Sequence, residues 1–472
     1  MMRREVVVVP DRWSPQGEVE LMLRGQPMRI WSGIPGEKVR VKVTHSGQNR
    51  DYAMILDVLE PHPHRVDPPC DRFHLCGGCP LMHLSPEGQR IARRKMVLDA
   101  FAEEGLRDVS VGDVQPSPDG EANFRHSIKL GVGTSDHGRL RIGAWARRSR
   151  DVVPIPGCVV ATPTLRRVMG LVAHHVIDLN LRPYDPREDT GVLRSVLLRQ
   201  SRTDGTVLVT LVAGRRVREL SELANQIGSG GDVSGVALHL NSEPGNAIFK
   251  RDEFGAVRTL CLGGRPWVEE ELLGVSYRVG AGEFFQTNPA VAERIYGRTL
   301  DRLELQQGEG LVDLYCGVGG FALPGARITG WALGVEEIEG AVEQARESAR
   351  RNKIPAEFVA GQVRELLPDL AKRVAGSRPA VVVNPARRGL EDGVIDGILG
   401  LEPRRIAYIS CNARALARDL RQFREAGLSI GHVELFDMFP NTAHVEAVAL
   451  IEGKPSSTTP RRRAPRRKVV EA

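Results

Sequence analysis

The chain has 472 residues, of which 41% are hydrophobic and 26% charged, with a formal net charge of +6. That balance excludes a disordered polypeptide and suits a soluble protein of two or three globular units. No apolar run reaches the roughly 18 residues of a membrane span, and the charged segment Met1 to Glu5 leads into a short valine strand rather than a signal-peptide core, so a cytoplasmic protein with no membrane partner is expected.

Residues 1–62 read as short strands, Glu5–Val9, Gly17–Leu23, Glu37–Thr44 and Ala53–Glu60, with a turn cluster at Ser32-Gly33-Ile34-Pro35-Gly36. Strands this short and close suggest a small barrel. Pro61, Pro63, Pro68 and Pro69 then punctuate the chain. Residues 63–282 open with three cysteines and a helix over Pro86–Glu104, where Ile91, Met96, Val97, Ala100 and Phe101 fall near a 3.6-residue period. Strand-like stretches at Arg139–Trp145, Val192–Arg199 and Thr206–Val212 suggest an antiparallel sheet. Residues 283–453 alternate strands (Leu311–Leu314, Trp331–Val335, Glu357–Ala360, Ala380–Val383, Ile406–Ser410) with helices, one of them burying Ile338, Ala341, Val342, Ala345 and Ala349. Such alternation implies a doubly wound, mainly parallel α/β sheet. Residues 454–472 are rich in Ser, Thr, Pro and Arg, with Arg461, Arg462, Arg463, Arg466, Arg467 and Lys468 crowded together; a disordered basic tail is expected.

Three features carry chemistry. The glycines of Asp313-Leu-Tyr-Cys-Gly-Val-Gly-Gly320 follow a strand and would let the backbone approach a ligand, while Glu336, ending the next strand, can accept both hydroxyls of a ribose. No Gly-Lys-Ser/Thr follows, so a cofactor bound without a phosphate, such as S-adenosylmethionine, fits better than ATP. Cys411 stands at the carboxyl end of a strand and just before a helix, where the helix N-terminus, Arg414 and Arg418 would favour a thiolate. Glu446 lies in an apolar strand, and burial there would raise its pKa toward that of a base working near neutrality. Each of the last two reads equally well, from position alone, as ordinary packing or surface.

The remaining pattern is Cys70-x5-Cys76-x2-Cys79, with Cys158 far downstream. The odd total of seven cysteines argues against a disulfide framework. Four thiolates suit zinc or an iron–sulfur cluster, and spacing leaves both open.

Four segments together resemble the RNA uracil-C5-methyltransferase family: Phe284-Phe-Gln-Thr-Asn288, Asp313-Leu-Tyr-Cys-Gly-Val-Gly319, Ser410-Cys-Asn412 with Leu416-Ala-Arg-Asp419, and Asp437-Met-Phe-Pro440 with His444-Val-Glu446. The resemblance implies an S-adenosylmethionine-dependent enzyme in which Cys411 is the nucleophile and Glu446 the base. It places Gln286, Tyr315, Gly320, Glu336 and Gln362 around the cofactor and the base. Asn384 stands where the family usually carries the Asp that holds the uracil edge, and an amide can still pair there. Gly320 and Gln362 also depart from the longer or acidic groups usual at their positions.

Members acting on ribosomal RNA carry a [4Fe-4S] cluster with this cysteine spacing, which implies Cys70, Cys76, Cys79 and Cys158 as its ligands. Gly33-Ile-Pro-Gly-Glu37 with Val39–Val43 resembles a TRAM domain, an OB-like RNA-contacting barrel. The whole is most similar to the 23S ribosomal RNA enzymes, with RNA as partner and a monomer expected. Transfer RNA is the alternative substrate, and a non-catalytic RNA-binding protein the alternative of another class. Asn384-Pro385 also suggests an amino-methyltransferase motif, but Ala386 and Arg387 replace its Pro and aromatic residue.

Overall fold

The computed structural model describes residues 5–245, 247–253, 255–283 and 285–452. The tail expected to be disordered lies outside them, as does Phe284. The first strands are β1 (Glu5–Val8), β2 (Arg12–Trp13), β3 (Val19–Leu23), β4 (Gln26–Trp31), β5 (Lys38–Ser46) and β6 (Asp51–Glu60). They form one sheet in the order β1-β5-β6-β4-β3-β2. Val8, Val19, Leu21, Met28, Ile30, Val39, Val41 and Ala53 make a core of their own inside it. β2 and β4 were not among the strands read from the sequence; β4 carries Pro27, in register opposite Met22.

The chain continues through α1 (Pro86–Glu103), β7 (Val111–Gln115), β8 (Ser127–Thr134), β9 (Leu140–Trp145), β10 (Val152–Val153), α2 (Pro163–Asp178), β11 (Leu193–Gln200), β12 (Val207–Ala213), α3 (Arg218–Gly228), β13 (Val233–Leu240) and β14 (Leu260–Gly264). Strands β8 to β14 build a sheet in the order β10-β9-β8-β11-β12-β13-β14. It is antiparallel except for β12 and β13, which run parallel because α3 carries the chain back between them.

The hairpin β15 (Trp267–Leu272) and β16 (Val275–Gly280) leads into α4 (Pro289–Leu303), β17 (Leu311–Leu314), α5 (Ala322–Thr329), β18 (Ala332–Glu336), α6 (Glu339–Asn352), β19 (Ala356–Ala360), α7 (Val363–Arg373), β20 (Ala380–Val383), α8 (Val394–Gly400), β21 (Arg405–Ser410), α9 (Ala413–Glu425), β22 (Ser429–Phe436) and β23 (Glu446–Glu452). The sheet order is β19-β18-β17-β20-β21-β23-β22-β7. Strands β17 to β21 are mutually parallel, and β23 runs against β21.

Helices cover both faces of this sheet. Ala380 and Val382 of β20 point into one core with α4, α5 and α6. Val381 and Val383 point into the other, with α7, α8, α9 and α1. A strand buried on both faces must be apolar throughout, which is why Ala380–Val383 shows no alternation.

One difference from the sequence reading bears on the site. Residues 86–115 had been grouped with the middle of the chain, but β7 pairs with β22 and α1 packs in the same core as α9. The hairpin β15–β16 likewise packs against this sheet, on its other face. A five-residue strand whose partner lies more than 300 residues away leaves no local pattern. Within α1 the apolar period also misled: Ile91 is 54% exposed, while Gln89 and Arg93 are buried. Among the described residues no helix is long and apolar enough to cross a membrane.

Candidate active site

The carboxyl ends of β17, β18, β19, β20 and β21 meet along one edge of the eight-stranded sheet. After β17 the backbone turns sharply, with positive φ at Tyr315 (63°), Gly317 (54°) and Gly319 (87°). A Cβ on Gly317 would meet nothing within 4 Å, so the loop faces open space there. Gly320 faces protein: a Cβ would come within 2.8 Å of the Tyr296 ring.

Glu336 closes this loop from the end of β18. Its carboxylate accepts from the Gly317 N–H at 3.1 Å and the Ile338 N–H at 3.0 Å. Burial raises its pKa, and those N–H groups oppose the rise. Asp313 lies beneath, fully buried. Its Oδ2 accepts from the Ala322 N–H at 2.9 Å, its Oδ1 has no partner, and burial pushes its pKa up to about 7. Gln362 follows β19 as the exposed residue before α7, and its side chain caps nothing. Asn384 ends β20, half-buried, with its N–H donating to the Leu314 carbonyl at 3.3 Å. Gln286, in the segment before α4, bonds the buried Tyr296 hydroxyl. Five of the six residues expected around a cofactor and base thus stand at neighbouring strand ends or the loop after β17. Gln286 reaches the same loop through Tyr296.

Cys411 and Glu446 are brought together by register. Ser410 of β21 is paired with Ala447 of β23, so Cys411 follows its strand just as Glu446 begins the opposite one. Glu446 is therefore at the end of its strand rather than inside it. It is 6% exposed, and burial pushes its pKa up to about 8. Burial also raises the Cys411 thiol, and the Glu446 charge raises it further. Two acids this close resist ionising together.

The cation facing both is Arg387, which opposes each rise and bonds the thiol. Sequence reasoning had assigned that role to Arg414 and Arg418. Arg414 instead pairs with Glu103 at 3.4 Å. Arg418 pairs with Asp419 and donates to the Arg388 carbonyl at 3.0 Å. Asp419, fully buried, accepts from the Leu390 N–H at 2.8 Å and the Tyr408 hydroxyl at 2.6 Å. Together with the Asn412 amide, which donates to the Arg387 carbonyl at 2.8 Å, these bonds hold loop 384–390 against α9. A Cβ on Gly389 would come within 2.5 Å of Asp419 Oδ2, so this contact needs glycine. The helix itself starts on Asn412, whose side chain accepts from the Arg414 and Ala415 N–H groups.

Two buried residues of α1 that the sequence did not mark hold the loop before Glu446. Arg93 pairs with Asp437 and donates to the carbonyls of Phe439 at 3.4 Å and Thr442 at 3.3 Å. Gln89 bonds Asn441. Their signal was present: polar side chains four apart on the helix face that also buries Val97 and Phe101.

Four of the other cysteines lie together, away from Cys411. Cys70, Cys76, Cys79 and Cys158 line one small cavity with Phe73, Met82 and Val160. All four are free, and burial pushes Cys79 up to about 12. The loop is anchored where Cys76 bridges to Ala146. A Cβ on Gly77 would come within 3.3 Å of the Arg147 backbone, and one on Gly78 within 3.5 Å of Cys76 Sγ. Phe73 also touches Trp31 of β4, on whose ring Arg147 stacks at 4.1 Å.

The family model described as tRNA (Uracil-5-)-methyltransferase matches residues 267–454. An RNA methyltransferase of Caldanaerobacter subterraneus subsp. tengcongensis is 31% identical over 434 residues, covering 91% of this chain and 94% of that one. The chain belongs to the RNA uracil-5-methyltransferase family. An RNA methyltransferase of Gloeobacter violaceus is 32% identical and matches 96% of this methyltransferase and 97% of its own length. The crystal structure of Pyrococcus abyssi tRNA (uracil-54, C5)-methyltransferase in complex with S-adenosyl-L-homocysteine superposes with a TM-score of 0.72 at 26% identity, covering 94% of this chain and all of that one. The enzyme is therefore an S-adenosylmethionine-dependent RNA methyltransferase, and its α/β sheet is the methyltransferase fold.

Proposed function

We propose that this enzyme methylates C5 of a uridine in 23S ribosomal RNA, with Cys411 as nucleophile and Glu446 as base. The proximity of Cys411 to a buried Glu446 of pKa about 8, where β21 ends and β23 begins, carries the reading. Uracil C5 is too weakly nucleophilic to take a methyl group unaided. The Cys411 thiolate adds to C6, and the C5–C6 π electrons move onto C5 as an enolate. S-adenosylmethionine, when bound, would supply the methyl group to C5, its S–CH3 bond breaking to leave S-adenosylhomocysteine. Glu446 removes the C5 proton, the double bond re-forms, and the C6–Sγ bond breaks to return the thiolate. Arg387 favours the charged form of both groups. Asn384 pairs with the uracil edge, which must first be flipped out of folded RNA.

Tyr315, Gly320, Glu336 and Gln362 hold the cofactor, with Gln286 between it and the base. The open face at Gly317 and the partnerless buried Oδ1 of Asp313 fit a ligand seated there. Residues 1–62 form the TRAM-type barrel, 63–282 the central RNA-binding unit apart from α1, β7 and the β15–β16 hairpin, and 283–453 the catalytic unit. The reading is completed by a cytoplasmic enzyme acting as a monomer.

The central cysteines hold a [4Fe-4S] cluster, whose role is structural since methylation has no redox step. Their chemistry and apolar cavity fit it. Four thiols lining one small cavity suit a metal centre, and the resemblance to the ribosomal RNA enzymes favours the cluster over zinc.

Transfer RNA is the second reading, favoured by the full-length likeness to the Pyrococcus abyssi enzyme. One experiment separates them. Protein purified without oxygen is offered 23S rRNA and tRNA, and the methylated position is mapped. Glu446→Gln should accumulate a covalent methylated adduct on the accepted RNA, and Cys411→Ala should abolish it. Methylation of tRNA alone would overturn the substrate choice. RNA binding without adduct or methyl transfer would leave a binding protein.

A further inference from the structure

Glu446 is reached through the loop 437–445, and one residue there is bonded to three other parts of the chain. Asn441 is 3% exposed and has φ 67°. Its N–H donates to Gln89 Oε1 at 2.8 Å, and its Oδ1 accepts from Gln89 Nε2 at 3.1 Å, a reciprocal amide pair with α1. Its Nδ2 donates to the Glu121 carbonyl at 2.8 Å. Its own carbonyl accepts from the N–H of Leu81, two residues beyond Cys79, at 2.9 Å. Every polar atom of the residue is thus committed.

A left-handed φ strains most side chains, and asparagine tolerates it best after glycine. Replacement therefore loses the turn preference and strands buried groups on Gln89 and Glu121 together. The chain beyond has little slack. Thr442 Oγ1 donates to the Phe439 carbonyl at 2.8 Å and accepts from the His444 N–H at 3.2 Å, and Val445 is buried in the core.

We propose that Asn441 is the positioning residue that aims the Glu446 carboxylate, tying the catalytic loop to α1 and to the cysteine-bearing segment. This rests on Glu446 being the base. Binding of RNA and formation of the methylated adduct draw on other segments; removal of the C5 proton alone requires the aimed carboxylate. A misaimed Glu446 therefore lengthens the life of the adduct without weakening RNA binding.

The test uses the full-length protein with transcripts of 23S rRNA and of a tRNA, whichever accepts methyl groups. Asn441→Ala, Gln89→Met, Glu446→Gln and the double variant Asn441→Ala/Glu446→Gln are compared by steady-state rates and by adduct on denaturing gels. Asn441→Ala should lower kcat by about 10- to 100-fold, the range for a catalytic group displaced by up to ~1 Å. KM for RNA should stay within about 2-fold while adduct accumulates, and the double variant should be no slower than Glu446→Gln alone, since both act on one step. Gln89→Met should show the same pattern more weakly, and decides the matter if Asn441→Ala does not fold. Folded variants that release the adduct at the wild-type rate, or that raise KM alone, overturn the proposal. If Glu446→Gln itself accumulates no adduct, the assignment of the base has failed, and this inference with it.

Discussion

Replacing Arg93 with methionine tests whether α1 holds the catalytic loop. In the folded protein the Arg93 and Asp437 side chains are 0% and 1% exposed, and Asp437 Oδ1 has no partner even with the arginine present. Removing the guanidinium leaves a buried carboxylate unpaired and two loop carbonyls without their donor. Breaking a buried pair from one side costs about 3–5 kcal/mol. Asp437 can escape part of that cost by taking up a proton, and burial already raises its pKa. The penalty should therefore be smaller at pH 5 than at pH 8. Replacing both partners by apolar groups, Arg93→Met with Asp437→Leu, should recover most of the loss, because neither charge is then stranded. Urea unfolding of the four members of the cycle, followed by circular dichroism, measures the coupling directly. A single variant within about 0.5 kcal/mol of wild type, the range of an indifferent surface change, would refute the argument. So would a double variant no more stable than the single.

Three further outcomes are expected. Because Glu446 acts as base only when ionised, release of methylated RNA should rise with pH through a midpoint of about 8; Arg387→Met removes the cation favouring the ionised form and should move that midpoint up by about half to one pH unit, the effect of losing roughly 1 kcal/mol of attraction from a partly exposed charge. Single-turnover release from pH 6 to 10 reads both, and a midpoint that stays put or falls argues against Arg387 facing the pair. Cys158→Ser should lower bound iron and acid-labile sulfide in anaerobically purified protein, whereas stoichiometric zinc in the wild type would replace the cluster assignment. Asn384→Ala should reduce kcat/KM for RNA by about 5- to 150-fold, the worth of roughly 1–3 kcal/mol in lost pairing, with KM for S-adenosylmethionine little changed; an unaffected kcat/KM would remove Asn384 from the uracil edge.

The α/β alternation was legible because each strand buried on both faces stands out as a short apolar run between amphipathic helices. Leu311–Leu314 and Ala380–Val383 were located to the residue. Cys411 and Glu446 could be read as candidates from their positions at apolar strands, but their meeting depends on an antiparallel register that no local pattern encodes. Arg387 was hidden for a different reason. It is one of several exposed arginines near the site, and only loop 384–390, fixed by Asp419, decides which of them faces the thiol. Gln89 and Arg93 act on residues about 350 positions away. What betrayed them was polarity on a buried helical stripe, a signal outweighed in the reading by Ile91, which faces solvent.

The pairing of β7 with β22 has a consequence for how the protein is made. Val111 meets Val433 only after more than 300 further residues have been synthesised. At about 5–20 residues per second that interval is roughly 15–60 s. Throughout it, α1 and β7 carry an apolar surface whose partners do not yet exist, while the sheet of β8 to β14 can already complete itself between them. The nascent chain therefore spends much of its synthesis with an orphaned edge strand beside a finished unit, the period in which a chaperone would be needed most.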